Sequence, residues 1–386
     1  MRNQQIKNVL IISEFYPPHW TGLSKVMHLL AKNLHKQGYD VSALTIQMNN
    51  TIAKEEVIDE IKVIRVPFQM KISRSLFSIS IVAKLFSIIR NFDVVLIGSP
   101  NSNILVFSLI TKLFRKKLVI FHQGDLLLPT KSGNQIVNRA LEKVFDLFTV
   151  PAVWMSDIAS TPTLDYGENS RIIKHGLKKF RPFTPTIENS KKEPNKAFIK
   201  KIDSYKEKYL LVGFAGRFVE EKGLDIFMQS VPYILKEVKN AKFLLAGKKM
   251  EYESFFEHAM EYAKDHKDSI EFMGLLDYGD LSYFYKNLDT FVVSSRSDCF
   301  PTTQLEAMSF KVPVVVTDIP GARTMVKDTG YGIIVPPNNP EKLAEGIVKV
   351  IRNRTKYEKL FPKVVERLEQ NRDFNLSFNT GESDGE

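Results

Sequence analysis

The stretch Ser294-Ser-Arg-Ser-Asp-Cys-Phe-Pro-Thr-Thr-Gln-Leu-Glu-Ala-Met-Ser-Phe-Lys-Val-Pro-Val-Val-Val-Thr-Asp318 decides the fold. Just before it, Thr290 to Val293 is a β-branched and aromatic run, the pattern of a buried strand. Asp298 and Cys299 fall in the loop that follows. Pro301 suits the first helical position, where a missing N–H costs nothing. Thr302 to Ser309 then reads as a short helix. Val312 to Val316 is apolar throughout, as a parallel strand covered on both faces is. Strand, loop, helix, strand is the unit of an open α/β sheet, and such sheets bind ligands beyond the carboxyl ends of their strands.

The chemistry follows from that placement. A helix starting near Pro301 points free N–H groups and a positive dipole end into the crevice, which favours a phosphate. Two carboxylates, Asp298 and Glu306, bracket that anion site. They suit hydroxyls of a sugar or ribose better than the phosphate itself. Spacing alone leaves a second reading open, a helix with one solvated Glu and a loop Asp. A second cluster, Gly216-Arg217-Phe218-Val219-Glu220-Glu221-Lys222-Gly223, follows the strand-like Tyr209 to Ala215. Two cations on a strand–helix loop make a diphosphate clamp by plain electrostatics. A solvated charged loop is the bland alternative.

These two stretches together resemble the signature of family 4 glycosyltransferases, retaining enzymes of the GT-B fold. The family pattern is an acid, seven residues, then Glu-Ala-Met; here it is Asp298 and Glu306-Ala307-Met308, with Phe300-Pro301-Thr302 between. The first acid is commonly Glu and here is the shorter Asp. The resemblance implies two Rossmann-like domains facing across a cleft. It implies that Arg217 and Lys222 hold the diphosphate and stabilise the leaving group. Glu306 would take the ribose hydroxyls, and Asp298 with N–H groups of Phe300, Thr302 and Thr303 the donor sugar. In the first half, Thr21-Gly22 stands where the family has a glycine pair approaching the donor phosphates, and an ordinary βα turn fits equally. His122-Gln123-Gly124-Asp125 resembles the family's His-containing loop, placing His122 near the reacting carbon; a lone His after a strand is more often structural. His175-Gly176-Leu177 stands where the family often has Asn-Gly-Val.

The chain of 386 residues is long enough for two α/β domains with full cores. The single cysteine, Cys299, excludes an internal disulfide framework and a Cys-based metal site. No stretch reaches the roughly 18 apolar residues of a spanning helix, and Val9 to Ile12 is too short for a signal segment. A cytoplasmic protein is expected, with a peripheral place at the inner face of the membrane as an option. No Asp-X-Asp triplet occurs, so metal-independent transfer without a cofactor is expected.

Residues 1–190 hold 24 Lys+Arg against 14 Asp+Glu, and the rest hold 30 of each. The whole excess of +10 therefore lies in the first half. One-sided charge points to an anionic partner: a membrane, a nucleic acid or a phosphorylated acceptor. Lys71 to Arg90 has apolar residues at helical spacing with Lys71, Arg74 and Lys84 along it, and Arg115-Lys116-Lys117 ends another apolar segment, Asn103 to Phe114. Both read as membrane-facing, and the first equally as a helix packed on a sheet.

Read in order, strands are expected at Asn8–Ser13, Asp40–Ile46, Ile61–Val66, Val94–Ile97, Leu118–Phe121, Leu147–Val150 and Arg171–Lys174. The domains expected are 1–178, a Pro- and Lys-rich linker 179–206, a nucleotide-sugar domain 207–352, and a C-terminal helix and tail 353–386. Phe374 to Glu386 reads as polar and patternless. The expected function is transfer of a sugar from a nucleotide-diphosphate sugar to a glycan or lipid-linked acceptor, as in polysaccharide or glycolipid biosynthesis. The alternatives are a sugar-nucleotide epimerase of the same fold and a non-catalytic membrane-binding module. An NAD oxidoreductase lacks its Gly-X-Gly-X-X-Gly, and no nucleic-acid module is recognisable.

Overall fold

The computed structural model describes residues 7–72, 75–128, 135–185, 192–248, 255–370 and 372–378. It divides into two compact units, Met1–Pro185 with Asn371–Glu386, and Thr186–Gln370.

The first unit runs β1 (Asn8–Ile12), α1 (Gly22–Lys36), β2 (Asp40–Ile46), β3 (Glu55–Ile58), β4 (Ile61–Val66), β5 (Met70–Ile72), β6 (Ser75–Phe77), α2 (Ile79–Ile88), β7 (Val94–Ser99), α3 (Ile104–Leu113), β8 (Lys117–His122), α4 (Gln135–Met155), β9 (Ile158–Ser160) and α5 (Leu164–Asn169). Its sheet has the order β3-β4-β2-β1-β7-β8-β9. All pairs are parallel except β3–β4. Val9 to Ile12 and Val94 to Ile97 are fully buried, because helices cover both faces. On one face α2, α3 and α4 pack through Leu85, Phe107 and Val153. On the other lie α1, Phe183 and Phe374. Each such side chain contributes about 1.5–3 kcal/mol by leaving water.

The second unit runs α6 (Lys196–Lys206), β10 (Leu210–Ala215), α7 (Leu224–Glu237), β11 (Ala241–Ala246), α8 (Phe255–Glu261), β12 (Ile270–Gly274), α9 (Tyr278–Asn287), β13 (Thr290–Val293), α10 (Thr302–Ser309), β14 (Val314–Thr317), α11 (Thr324–Thr329), β15 (Gly332–Val335), α12 (Pro340–Arg352), α13 (Arg354–Glu358) and α14 (Phe361–Glu369). Its sheet, β12-β11-β10-β13-β14-β15, is parallel throughout. The order reverses between β10 and β13, so the crevice opens at the carboxyl ends of those two strands.

Six local expectations are corrected. Lys71 to Arg90 is not one helix: Lys71 lies in the β5–β6 hairpin, Arg74 lies outside the described residues, and α2 begins only at Ile79. The reason is Ser78, whose Oγ accepts from Ile81 N (3.1 Å) and caps the helix there. Leu147 to Val150 is not a strand but part of the 21-residue α4, and Arg171 to Lys174 enters a 3₁₀ turn, Ile173–Lys179. Pro301 is the N-cap of α10 and not its first residue. Part of the presumed linker, Lys196–Lys206, is a helix capped by Asn195 and anchored by buried Ile202. The tail is not all frayed: Phe374 and Leu376 are buried, with Phe374 edge-on to Phe183 at 5.9 Å.

Candidate functional site

The residues singled out from the sequence fall into two sets, one in each unit. In the second unit they gather at the carboxyl ends of β10 and β13. Gly223 holds φ at +67°, and a Cβ there would lie 2.0 Å from the Ser294 carbonyl oxygen. Only glycine lets the two loops approach this closely. Ser294 Oγ then donates to the carbonyls of Gly223 (2.9 Å) and Lys222 (3.2 Å). Arg296 completes the tie. Its guanidinium is bidentate on Asp225, at 2.7 Å to each oxygen, and donates to the Glu220 carbonyl (2.8 Å). Arg296 is therefore a strut that shapes the Glu220–Lys222 turn.

Arg217 stands exposed on this loop. The Lys222 ammonium forms an ion pair with Asp298 across the two loops. A cation of one loop and an acid of the other thus share a contact. Gly321, at φ +85°, brings the loop after β14 against the carbonyl of Cys299, where a Cβ would sit 2.0 Å away. Burial pushes the Cys299 thiol up to about 12, so it stays protonated and unreactive at neutral pH.

Helix α10 starts without any side-chain cap, leaving the N–H groups of Thr302 and Thr303 beside partly exposed side chains. Phe300 is buried beneath them. Glu306, one turn on, is almost buried and accepts from the Tyr285 hydroxyl of α9 at 2.9 Å. Tyr285 is itself wholly buried. Burial first, and then the Glu306 carboxylate, drive its pKa well up, so it remains a donor. The sequence reading passed over Tyr285, Arg296 and Ser294, because nothing local marks them.

In the first unit Gly22 and His122 lie at the carboxyl ends of β1 and β8, strands flanking β7. Thr21 and Ser24 form a capping box, with Ser24 N to Thr21 Oγ1 at 3.0 Å and Thr21 N to Ser24 Oγ at 2.7 Å. Gly22 is the first helical residue, and a Cβ there would meet nothing within 4 Å. Packing therefore does not require glycine at this point. The His122 ring is fully buried with both nitrogens engaged, Nδ1 with Ser99 Oγ (3.0 Å) and Nε2 with Asp125 (2.9 Å). Burial pushes the Asp125 carboxyl up. Bonds from His122, Ser170 and the Arg171 backbone outweigh that and hold it down at about 2. His122 cannot offer a ring nitrogen to a substrate without breaking one of these contacts.

Glu14, at the end of β1, was also overlooked. It is buried, accepts from the backbone N–H of Leu76, and lines a small cavity with Ser13, Gly98, Ser99 and Gln123. Burial raises its pKa to about 7. The folded state therefore holds a proton that the unfolded chain gives up near the ordinary value of 4.5. Stability should fall as pH rises from 4.5 to about 7 and stay flat above that, by about 3 kcal/mol in all at about 1.4 kcal/mol per pKa unit. Glu14→Gln keeps the acceptor and removes the charge. Denaturant unfolding should find the variant more stable than wild type at pH 8 and equal to it at pH 4.

The six cations expected to face a membrane are placed unequally. Lys84 lies 3.6 Å from Glu55, Lys116 Nζ donates to the Arg90 carbonyl (3.1 Å), and Lys117 sits 3.8 Å from Asp157. Arg115 is exposed in a left-handed turn, φ +54°, just beyond α3. Among the described residues no helix is long and apolar enough to cross a membrane.

The family model described as glycosyl transferases group 1 matches residues 195–364, and one described as glycosyl transferase 4-like matches residues 18–151. An uncharacterised glycosyltransferase of Methanocaldococcus jannaschii is 32% identical over 145 residues, 38% of this chain. That match spans only 36% of the relative's own length. Phosphatidyl-myo-inositol mannosyltransferase of Mycobacterium leprae is 21% identical over 84% of this chain and 82% of that protein. Among solved structures, Anabaena HepE in complex with UDP and glucose superposes with TM-score 0.72 at 15% identity, covering 95% of this chain and 96% of that one. The α/β GT-B fold expected from the sequence is the fold the chain has.

Proposed function

From the premise that this chain belongs to the group 1 glycosyltransferases, we propose that it is a retaining enzyme of the family 4 kind. It moves a sugar from a nucleotide-diphosphate sugar to a glycan or lipid-linked acceptor without a metal ion. One observation carries this reading: the Arg217–Lys222 loop and the Asp298–Glu306 loop are locked together at the crevice of the second sheet through Ser294 and Arg296. Cations for a diphosphate and a buried carboxylate for a ribose then belong to one site.

In the reaction the bond from the sugar's C1 to the diphosphate oxygen breaks, and its electron pair passes to the diphosphate. Arg217 and Lys222 meet that growing charge, the term that usually dominates such catalysis. The uncapped N-terminus of α10 adds its dipole. Glu306, fixed by Tyr285, accepts from the ribose hydroxyls, and Asp298 from the donor sugar. The acceptor hydroxyl bonds to C1 and its proton leaves to the released diphosphate. Two cations at the diphosphate supply the neutralisation that a divalent ion gives elsewhere, which supports the metal-free reading. His122 acts by shaping the loop after β8 through Ser99 and Asp125.

The test is nucleotide release from a panel of nucleotide sugars, uridine donors first because HepE holds UDP. Release should need an acceptor and survive chelator. Loss in chelator restored by a divalent ion would overturn metal independence, and donor conversion without acceptor would favour the epimerase.

A further inference from the structure

Helix α4 is amphipathic in an unusual sense. Its inner face, Thr149, Ala152 and Val153, is buried on the first sheet. Its outer face is apolar as well: Leu141, Val144, Leu147, Phe148 and Trp154 are all exposed, Leu147 by 68% and Trp154 by 62%. At helical spacing these five span about 140° of arc and about 20 Å of length. The neighbouring α3 continues the surface with exposed Val106, Leu109 and Leu113, and α2 with Phe86. All three helices pack on the same side of the sheet. A contiguous apolar surface three helices wide marks an interaction site.

Charge identifies the occupant. Residues 79–117 carry six Lys and Arg and one acid, Asp93, whose carboxylate is spent on the backbone of Lys7 and Asn8. The cations collect where α2, α3 and α4 end. Arg90 lies 5.6 Å from the Phe114 ring, which packs edge-on to Phe86 at 5.1 Å. Lys179 donates to the Trp154 carbonyl (2.9 Å), and exposed Lys174 and Lys178 adjoin it in sequence. The acids of α4 give no complement: Asp146 and Glu142 are held by Arg171 at 2.8 and 3.8 Å. Asp157 is already shared by Lys112 (2.6 Å) and Lys117 (3.8 Å), so a second copy of this face would bring mostly cations against cations. Aromatic and aliphatic side chains bordered by Lys and Arg suit the interface of an anionic bilayer.

We infer that the outer face of α2, α3 and α4 docks on an anionic lipid surface, α4 lying flat with Trp154 at headgroup depth. This deepens the lipid-linked branch of the function proposed above and rests on it for its purpose, though not for its test. It also moves the contact away from the β5–β6 hairpin and onto α3 and α4.

The experiment is co-sedimentation of the full chain with vesicles of phosphatidylcholine alone or mixed equally with phosphatidylglycerol, at low and high salt. Binding to the anionic vesicles should exceed neutral binding about tenfold at low salt and weaken as salt screens the cations. Leu147→Glu with Phe148→Glu should lower it about tenfold or more. Val57→Glu, at an equally exposed apolar residue on β3, should not. In a Trp20→Phe background Trp154 is the sole tryptophan, and its emission should shift to the blue on anionic vesicles. The inference is overturned if the Trp154 emission does not move, if the α4 variant sediments like wild type, or if lipid-free protein is a dimer that this variant dissociates. Glu306→Gln should sediment normally, so a failed donor assignment and a failed docking face are told apart.

Discussion

Arg217→Ala should lower turnover at saturating donor about 10²–10³-fold, the usual loss when one charge-stabilising donor is removed from a transition state, with melting unchanged. The side chain is exposed on the loop after β10, so little folding energy depends on it. Lys222→Ala should cost as much activity but is a less clean experiment. It leaves Asp298, nearly buried, without its cation, and an unpaired buried charge destabilises. Lys222→Ala combined with Asp298→Asn removes both charges and should recover the melting temperature without recovering activity. Binding gives the sharper discriminator. Both single variants should weaken inorganic pyrophosphate as much as they weaken a nucleoside diphosphate, because both contacts proposed for them are to the diphosphate. Wild-type turnover in Arg217→Ala, or full activity in the double variant, would remove these residues from the chemistry.

The two units differ in how openly their sequences announce them, for a physical reason. In the second unit Leu210–Ala215, Ala241–Ala246 and Thr290–Val293 are covered on both faces by helices, so each is a largely apolar run between turn residues, with Lys242 the one charge among them. The first unit breaks the assumption behind such reading, that apolar means inward. In α4, Leu147 and Phe148 point outward while Thr149 is buried, so Leu147 to Val150 imitates a strand. The edge strand β3 is half exposed and polar, and gives no run at all. In the site, residue types were legible where a loop and a helix start held them within a few positions, as with Gly216 to Gly223 and Asp298 to Glu306. Their partners were not. Lys222 meets Asp298 across 76 residues, Arg296 meets Asp225 across 71, and Glu306 meets Tyr285 across 21. Only the sheet order brings those loops together. For His122 only Ser99 is a distant partner, 23 residues back, while Asp125 is local, and together they occupy both ring nitrogens.

Glu306→Gln should weaken a nucleoside diphosphate by about 1.5–3 kcal/mol, or about ten- to a hundredfold, the range for hydrogen bonds to a charged group. The carboxylate offers two oxygens. Oε2 accepts from the Tyr285 hydroxyl, and adjacent ribose hydroxyls would donate to the same carboxylate. Glutamine keeps the shape but turns one acceptor into a donor, which faces either Tyr285 or the ribose. Tyr285→Phe removes the hydroxyl alone and leaves Glu306 without its fixed donor in a buried place. Its effect should be smaller, about 0.5–1.5 kcal/mol, because Tyr285 orients the acceptor and does not itself touch the ligand. Inorganic pyrophosphate, which has no ribose, should bind both variants as it binds wild type. Arg217→Ala should instead weaken both ligands alike, so calorimetry with the two ligands assigns each residue to its half of the donor. A Glu306→Gln protein that binds the nucleoside diphosphate with wild-type affinity would contradict the ribose assignment, whatever its turnover.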